Sequence, residues 1–157
     1  MKKVYIETFG CQMNVSDTEI VKSVLQKDDF IITDSEQDAD IILLNTCSVR
    51  ENANRKVYQR IHRIKHDRTG GQPLKIGVLG CMATNFRKQL LEDKKLPIDF
   101  VVGPDSYKRL PNVINKVNES GDKGFDVTLS EFETYSDIYP THDKGVNAWI
   151  SVMRGCN

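Results

Sequence analysis

Three cysteines carry the strongest chemical signal in the sequence. Cys11, Cys47 and Cys81 lie 36 and 34 residues apart, and each stands just past a short run rich in β-branched and aliphatic residues. A single cysteine after a buried strand is most often an inert small hydrophobe. Three at matching positions point instead to a shared ligand. Gly10 and Gly80 precede two of them, and glycine lets the backbone come close to a bulky group. A structural zinc takes four ligands, and neither His62 nor His66 is an obvious fourth, because both fall well inside a helical stretch. A disulfide is disfavoured by the expected reducing compartment and by the lack of any C-x-x-C. A four-iron cluster ordinarily takes four cysteines, so three would leave one iron open to water, substrate or a small sulfur ligand.

The elements that must position these thiols follow from the apolar pattern. Residues 3–9 (KVYIETF), 30–33 (FIIT), 39–45 (ADIILLN), 75–79 (KIGVL) and 99–102 (DFVV) read as five strands, the third buried on both faces. Between them, a capping box at Ser16 and Glu19 predicts a helix carrying Ile20, Val21, Val24 and Leu25. A second box at Ser48 and Glu51 predicts a long helix carrying Val49, Ala53, Val57, Ile61 and Ile64 and closed by Gly70 and Gly71. Shorter helices are expected over 86–91 and around 111–118. Strands alternating with helices imply right-handed parallel crossovers, hence an α/β, doubly wound, mainly parallel five-stranded sheet of flavodoxin-like order 2-1-3-4-5 with helices on both faces. In that order strands one, three and four are neighbours. At ~4.8 Å per strand the three thiols would span about 10 Å along the carboxyl edge, where open α/β sheets bind ligands. Helix N-termini at that edge would lower thiol pKa values and favour an anionic group. Asn14, Ser48 and Thr84, each one to three residues past a cysteine, read as helix caps before they read as ligand contacts.

The 157 residues hold 22 Lys plus Arg against 22 Asp plus Glu, a formal charge of zero. That balance argues against a dedicated nucleic-acid module, although it allows a local basic face. Such a face is present: Arg50, Arg55, Lys56, Arg60, Arg63, Lys65 and Arg68 stand against only Glu51 and Asp67. A solvated helix is its commoner meaning, and nucleic-acid contact the sharper one. His62 and His66 could ligate a metal at i, i+4, but they lack the H-E-x-x-H pattern. No dinucleotide or nucleoside-triphosphate glycine fingerprint occurs, and the loop GCQMNVS is poor in hydroxyls for an FMN phosphate loop. No apolar run approaches the ~20 residues of a membrane span. The first residues lead directly into strand pattern with no signal peptide, so a cytoplasmic location is expected. Three segments are expected: a domain over 1–118, an acidic linker over 119–145, and over 146–157 the first strand of a further domain, with Trp149 in its core, cut just past Cys156.

Four blocks resemble a known family. Glu7-Thr8-Phe9-Gly10-Cys11-Gln12-Met13-Asn14 with Ser16-Asp17-Thr18-Glu19, then Asn45-Thr46-Cys47-Ser48-Val49-Arg50-Glu51-Asn52-Ala53, then Gly80-Cys81-Met82-Ala83, then Val102-Gly103-Pro104 with Arg109-Leu110-Pro111, resemble in order the signatures of the methylthiotransferases. Residues 151–157 (SVMRGCN) resemble the start of the radical S-adenosylmethionine C-x-x-x-C-x-x-C motif. Gln12-Met13 stands where the ribosomal-protein-modifying relatives would be expected to show Pro-Lys, so the resemblance is to the tRNA-modifying branch. It implies insertion of a methylthio group at carbon 2 of isopentenyladenosine beside the anticodon. Threonylcarbamoyladenosine tRNA or a ribosomal protein are the alternative targets, and an FMN- or partner-binding flavodoxin-like module is the alternative of another class. The resemblance further implies that Cys11, Cys47 and Cys81 ligate an auxiliary 4Fe-4S cluster whose open iron takes a sulfur species. Cys156 would be the first of three ligands to a second 4Fe-4S cluster, which binds S-adenosylmethionine and generates an adenosyl radical. The implied partners are tRNA, held mainly by parts absent from this sequence, a sulfur donor and an electron donor such as a flavodoxin, with no membrane and a monomeric state. This chain alone is expected to be inactive.

Overall fold

A computed structural model of the chain describes residues 2–10, 12–47, 51–67, 73–93 and 95–126. Six strands form one sheet of order β2-β1-β3-β4-β5-β6, and every neighbouring pair is parallel. The strands are β1 (Lys3–Thr8), β2 (Ile31–Ile32), β3 (Ile41–Thr46), β4 (Lys75–Gly80), β5 (Phe100–Val102) and β6 (Gly124–Asp126). The helices are α1 (Gln12–Lys27), α2 (Glu51–Asp67), α3 (Cys81–Asn85), α4 (Arg87–Glu92) and α5 (Leu110–Ser120), with a 3-10 segment over Pro104–Arg109. None of the described helices is long and apolar enough to cross a membrane.

The pattern along β3 shows how the core is divided. All six of its residues are buried. Ile41 and Leu43 face one layer with Val21, Leu25, Tyr107 and Ile114, whereas Ile42 and Leu44 face the other with Val57, Ile61, Ile64 and Leu90. A strand with period two that is buried at every position must be covered on both sides, and a parallel sheet with α1 and α5 on one face and α2, α3 and α4 on the other does this. Packing is tight between β4 and β5: a Cβ on Gly77 would lie 2.1 Å from the ring of its register partner Phe100, so that ring fills the space which glycine leaves open.

The expected doubly wound order is present, with three departures. The sheet has six strands, because Gly124–Asp126 pairs with β5 inside the stretch read as a linker; three residues after a turn are too few to show a strand period. Helix α1 begins at Gln12, so Ser16 sits within it, 4% exposed, and does not cap it. The chain turns at Gly10, whose φ of +114° suits glycine, and the next polar residues are held by buried hydrogen bonds instead of solvent. The short helix expected over 86–91 is present as α4, but a further short helix, α3, precedes it and starts at Cys81 itself. Ser48, Gly70, Gly71, Trp149 and the proposed division beyond residue 126 lie outside the described residues.

Candidate metal centre

The cysteine-bearing loops leave the sheet where its order reverses. Chain order runs from β1 outward to β2, then back across β1 to β3 and β4, and such a switch point opens a crevice at the carboxyl edge. Thr8 is the register partner of Asn45, and Thr46 is that of Gly80. Cys47 and Cys81 therefore each follow a paired position by one residue, on strands about 4.8 Å apart. The turn after β1 is fastened to the same place, since the Phe9 amide donates to the Asn45 carbonyl at 2.7 Å.

The two glycines make this convergence sterically possible. A Cβ on Gly10 would lie 2.6 Å from the Cys47 Cβ and 2.7 Å from Asn14 Oδ1. A Cβ on Gly80, at φ +91°, would lie 2.3 Å from the Thr46 carbonyl oxygen. Any other residue at either position would push the loops apart. Cys47 and Cys81 are half-buried, and neither is in a disulfide. Cys11 and Cys156 lie outside the described residues, so the structure brings together the segments that carry Cys47 and Cys81, with Gly10, the neighbour of Cys11, against Cys47. Among the described residues no group of three His, Cys, Asp or Glu side chains converges, a set that excludes Cys11.

A buried amide and hydroxyl network beneath the cysteines is what sequence reasoning missed. Asn14 Nδ2 donates to Asn45 Oδ1 at 3.2 Å and to the Thr46 carbonyl at 2.9 Å. Asn45 Nδ2 donates in turn to the Asn14 carbonyl at 2.9 Å and to Thr18 Oγ1 at 3.0 Å. Thr18 and Thr8 share a 2.7 Å hydroxyl contact, and Thr46 Oγ1 donates to the Leu79 carbonyl at 2.6 Å. Asn14 thus ties the start of α1 to the end of β3. The signal that could have shown this was Asn45 ending an otherwise unbroken apolar strand, because a fully buried amide must find partners.

The basic helix is less free than its composition implied. Arg60 lies partly buried over the sheet, with its Nε 2.8 Å from Glu7 and its other arm on Glu36. Burial opposes its charge, but these hydrogen bonds and the two carboxylates raise its pKa above the ordinary value. Arg63 pairs with Asp67 one turn on, and His62 and His66 are both exposed. Burial, reinforced by Glu7 and Glu36, also pushes the Tyr5 phenol up.

The residues present fit an iron-sulfur group on three counts. Thiols are the donors such a cluster takes. Glycines keep two of the three loops close enough to share one ligand. Thr84, one helical turn beyond Cys81, holds a buried hydroxyl oxygen with no hydrogen-bond partner among the described residues.

The chain is similar to known proteins in both fold and sequence. The isolated REC domain of RcsB from Salmonella enterica serovar Typhimurium superposes with a TM-score of 0.54 at 19% identity, covering 80% of this chain and 93% of that one, a likeness of fold alone. The chain is 46% identical over 155 residues to the tRNA-2-methylthio-N(6)-dimethylallyladenosine synthase of Chloroherpeton thalassium and 48% identical over 161 residues to that of Porphyromonas gingivalis. It is 45% identical to the mitochondrial tRNA methylthiotransferase CDK5RAP1 of Homo sapiens. Each match covers 99% of this chain, which spans about a third of the bacterial relatives' length and 27% of the human one. Residues 3–103, which hold all three cysteines and both glycines, match the model described as uncharacterized protein family UPF0004, and the chain belongs to that family.

Proposed function

We propose that this chain is the auxiliary-cluster domain of a tRNA methylthiotransferase, one that places a methylthio group on carbon 2 of isopentenyladenosine next to the anticodon. The observation that carries the proposal is the juxtaposition of the loops after β1, β3 and β4, with the Gly10 turn against Cys47 and Gly80 beside Thr46. In this reading Cys11, Cys47 and Cys81 ligate one 4Fe-4S cluster. When bound, that cluster supplies an iron with an open position for a sulfur species. The protein's own part is to hold three thiolates at fixed spacing on a rigid sheet edge, with Asn14, Asn45, Thr8 and Thr18 bracing them from below. Cys156 is assigned as the first of three ligands to a second cluster that binds S-adenosylmethionine, within a further domain opening over 146–157 and joined by an acidic segment. The whole reaction is assigned to a chain of the relatives' full length, acting in the cytoplasm as a monomer with tRNA, a sulfur donor and an electron donor such as a flavodoxin. The relatives' names support tRNA as the substrate.

Deleting the gene and analysing tRNA nucleosides by mass spectrometry tests the substrate. The expected result is loss of 2-methylthio-isopentenyladenosine with accumulation of isopentenyladenosine. An unchanged 2-methylthio content overturns the assignment, and loss of the methylthio group from threonylcarbamoyladenosine or from a ribosomal protein transfers it to that target.

A further inference from the structure

We propose that the Thr84 hydroxyl donates a hydrogen bond to a sulfur at the Cys81 corner of the cluster site and raises the cluster's reduction potential. This rests on the reading of Cys81 as a ligand. Thr84 lies in α3, three residues after Cys81, and residues three apart share a helix face. Met82 and Ala83 between them turn to the core, where both are fully buried.

The hydroxyl itself is anomalous. A threonine within a helix ordinarily donates to the carbonyl four residues back, here that of Gly80, or faces water. Thr84 Oγ1 does neither: it is buried and lacks a hydrogen-bond partner among the described residues. The other threonine hydroxyls at this edge are all engaged, Thr8 with Thr18, Thr18 with Asn45, and Thr46 with the Leu79 carbonyl. Nor does Thr84 cap α3, whose N-cap is Gly80 with no side-chain cap bond. A buried donor without an acceptor is destabilising, and one three residues after a candidate cluster ligand points to an acceptor that arrives with the cluster. Thiolate and sulfide sulfurs are such acceptors, and hydrogen bonds to cluster sulfurs are one of the means by which proteins set cluster potential.

The test uses this chain, reconstituted anaerobically with iron and sulfide, as wild type, Thr84→Val and Thr84→Ser. The midpoint potential is read by a titration followed by electron paramagnetic resonance, and the stability of each cluster-free chain by urea unfolding. Thr84→Val is expected to take up as much iron as wild type, to be at least as stable without it, and to show a lower midpoint potential. Thr84→Ser is expected to restore the wild-type potential. Equal potentials in wild type and Thr84→Val overturn the inference, as does a Thr84→Ser chain that behaves like Thr84→Val, or a failure of both variants to take up the iron that wild type binds. A merely structural role would lower the stability of cluster-free Thr84→Val and leave the potential where it was. A wild-type chain that takes up no iron would remove the cluster reading itself, a failure distinguishable from all of these.

Discussion

Replacing Asn45 by alanine tests the brace beneath the cysteines. The side chain is fully buried and takes part in three hydrogen bonds: one accepted from Asn14 Nδ2 at 3.2 Å, and two donated, to the Asn14 carbonyl at 2.9 Å and Thr18 Oγ1 at 3.0 Å. None of the partners is orphaned by the change. Asn14 Nδ2 keeps the Thr46 carbonyl, Thr18 keeps Thr8, and the Asn14 carbonyl, inside α1, keeps its helical N–H. The cost is therefore the net value of three ordinary hydrogen bonds, about 1 kcal/mol each and about 3 kcal/mol together, without the larger penalty of a stranded buried group. With a urea m-value of about 1.5 kcal/mol/M, the unfolding midpoint should fall by about 2 M at unchanged slope. Unfolding of the reduced chain, followed by circular dichroism, measures this. A loss below about 0.5 kcal/mol would show that the network does not join the loops after β1 and β3.

Further outcomes follow from the same geometry. Gly80→Ala forces a Cβ toward the backbone oxygen of Thr46 at φ +91° and should cost about 2–4 kcal/mol, whereas Gly121→Ala, at φ +73° with nothing within 4 Å, should cost only about 1–2 kcal/mol. Urea midpoints that rank the two in the opposite order would contradict the close approach of β3 and β4 loops. Arg60→Met leaves Glu7 and Glu36 without their shared cation and should lose about 1–3 kcal/mol, less at high salt, as thermal unfolding across a salt series would show. The raised phenol pKa of Tyr5 means that the folded state favours the neutral form. Its stabilising share is present below about pH 10 and is lost as pH rises through the folded pKa, so Tyr5→Phe should lose less stability than wild type between about pH 9 and about pH 11. Identical losses in both would assign the alkaline decline elsewhere.

Much of the fold was legible because its signals are local. The short unbroken apolar run from Ile41 to Leu44, and the helix face repeating at three and four through Val57, Ile61 and Ile64, each mark their element from neighbouring residues alone. The strand order followed from the doubly wound pattern of alternating strands and helices. What escaped was non-local. The start of α1 depends on Asn14 reaching Asn45 and Thr46, more than thirty residues away, so Ser16 and Glu19 read as a cap although both are buried inside the helix. Helix α3 is only five residues long, too short to display an apolar period, and β6 is shorter still. At the site, the glycines beside two cysteines announced a close approach. The asparagine and threonine brace did not, because the same residue types serve as caps and turns wherever water is their alternative partner.

The central claim is that Cys11, Cys47 and Cys81 converge on one four-iron cluster. Anaerobic reconstitution with iron and sulfide, followed by counting both per chain and by Mössbauer spectroscopy, measures it directly. Wild type should hold about four irons and about four sulfides in a single cluster, and alanine at any one of the three cysteines should lower that content sharply while Cys156→Ala leaves it unchanged. Fewer than about three irons in wild type, or full content in the chain with all three cysteines replaced, would contradict it.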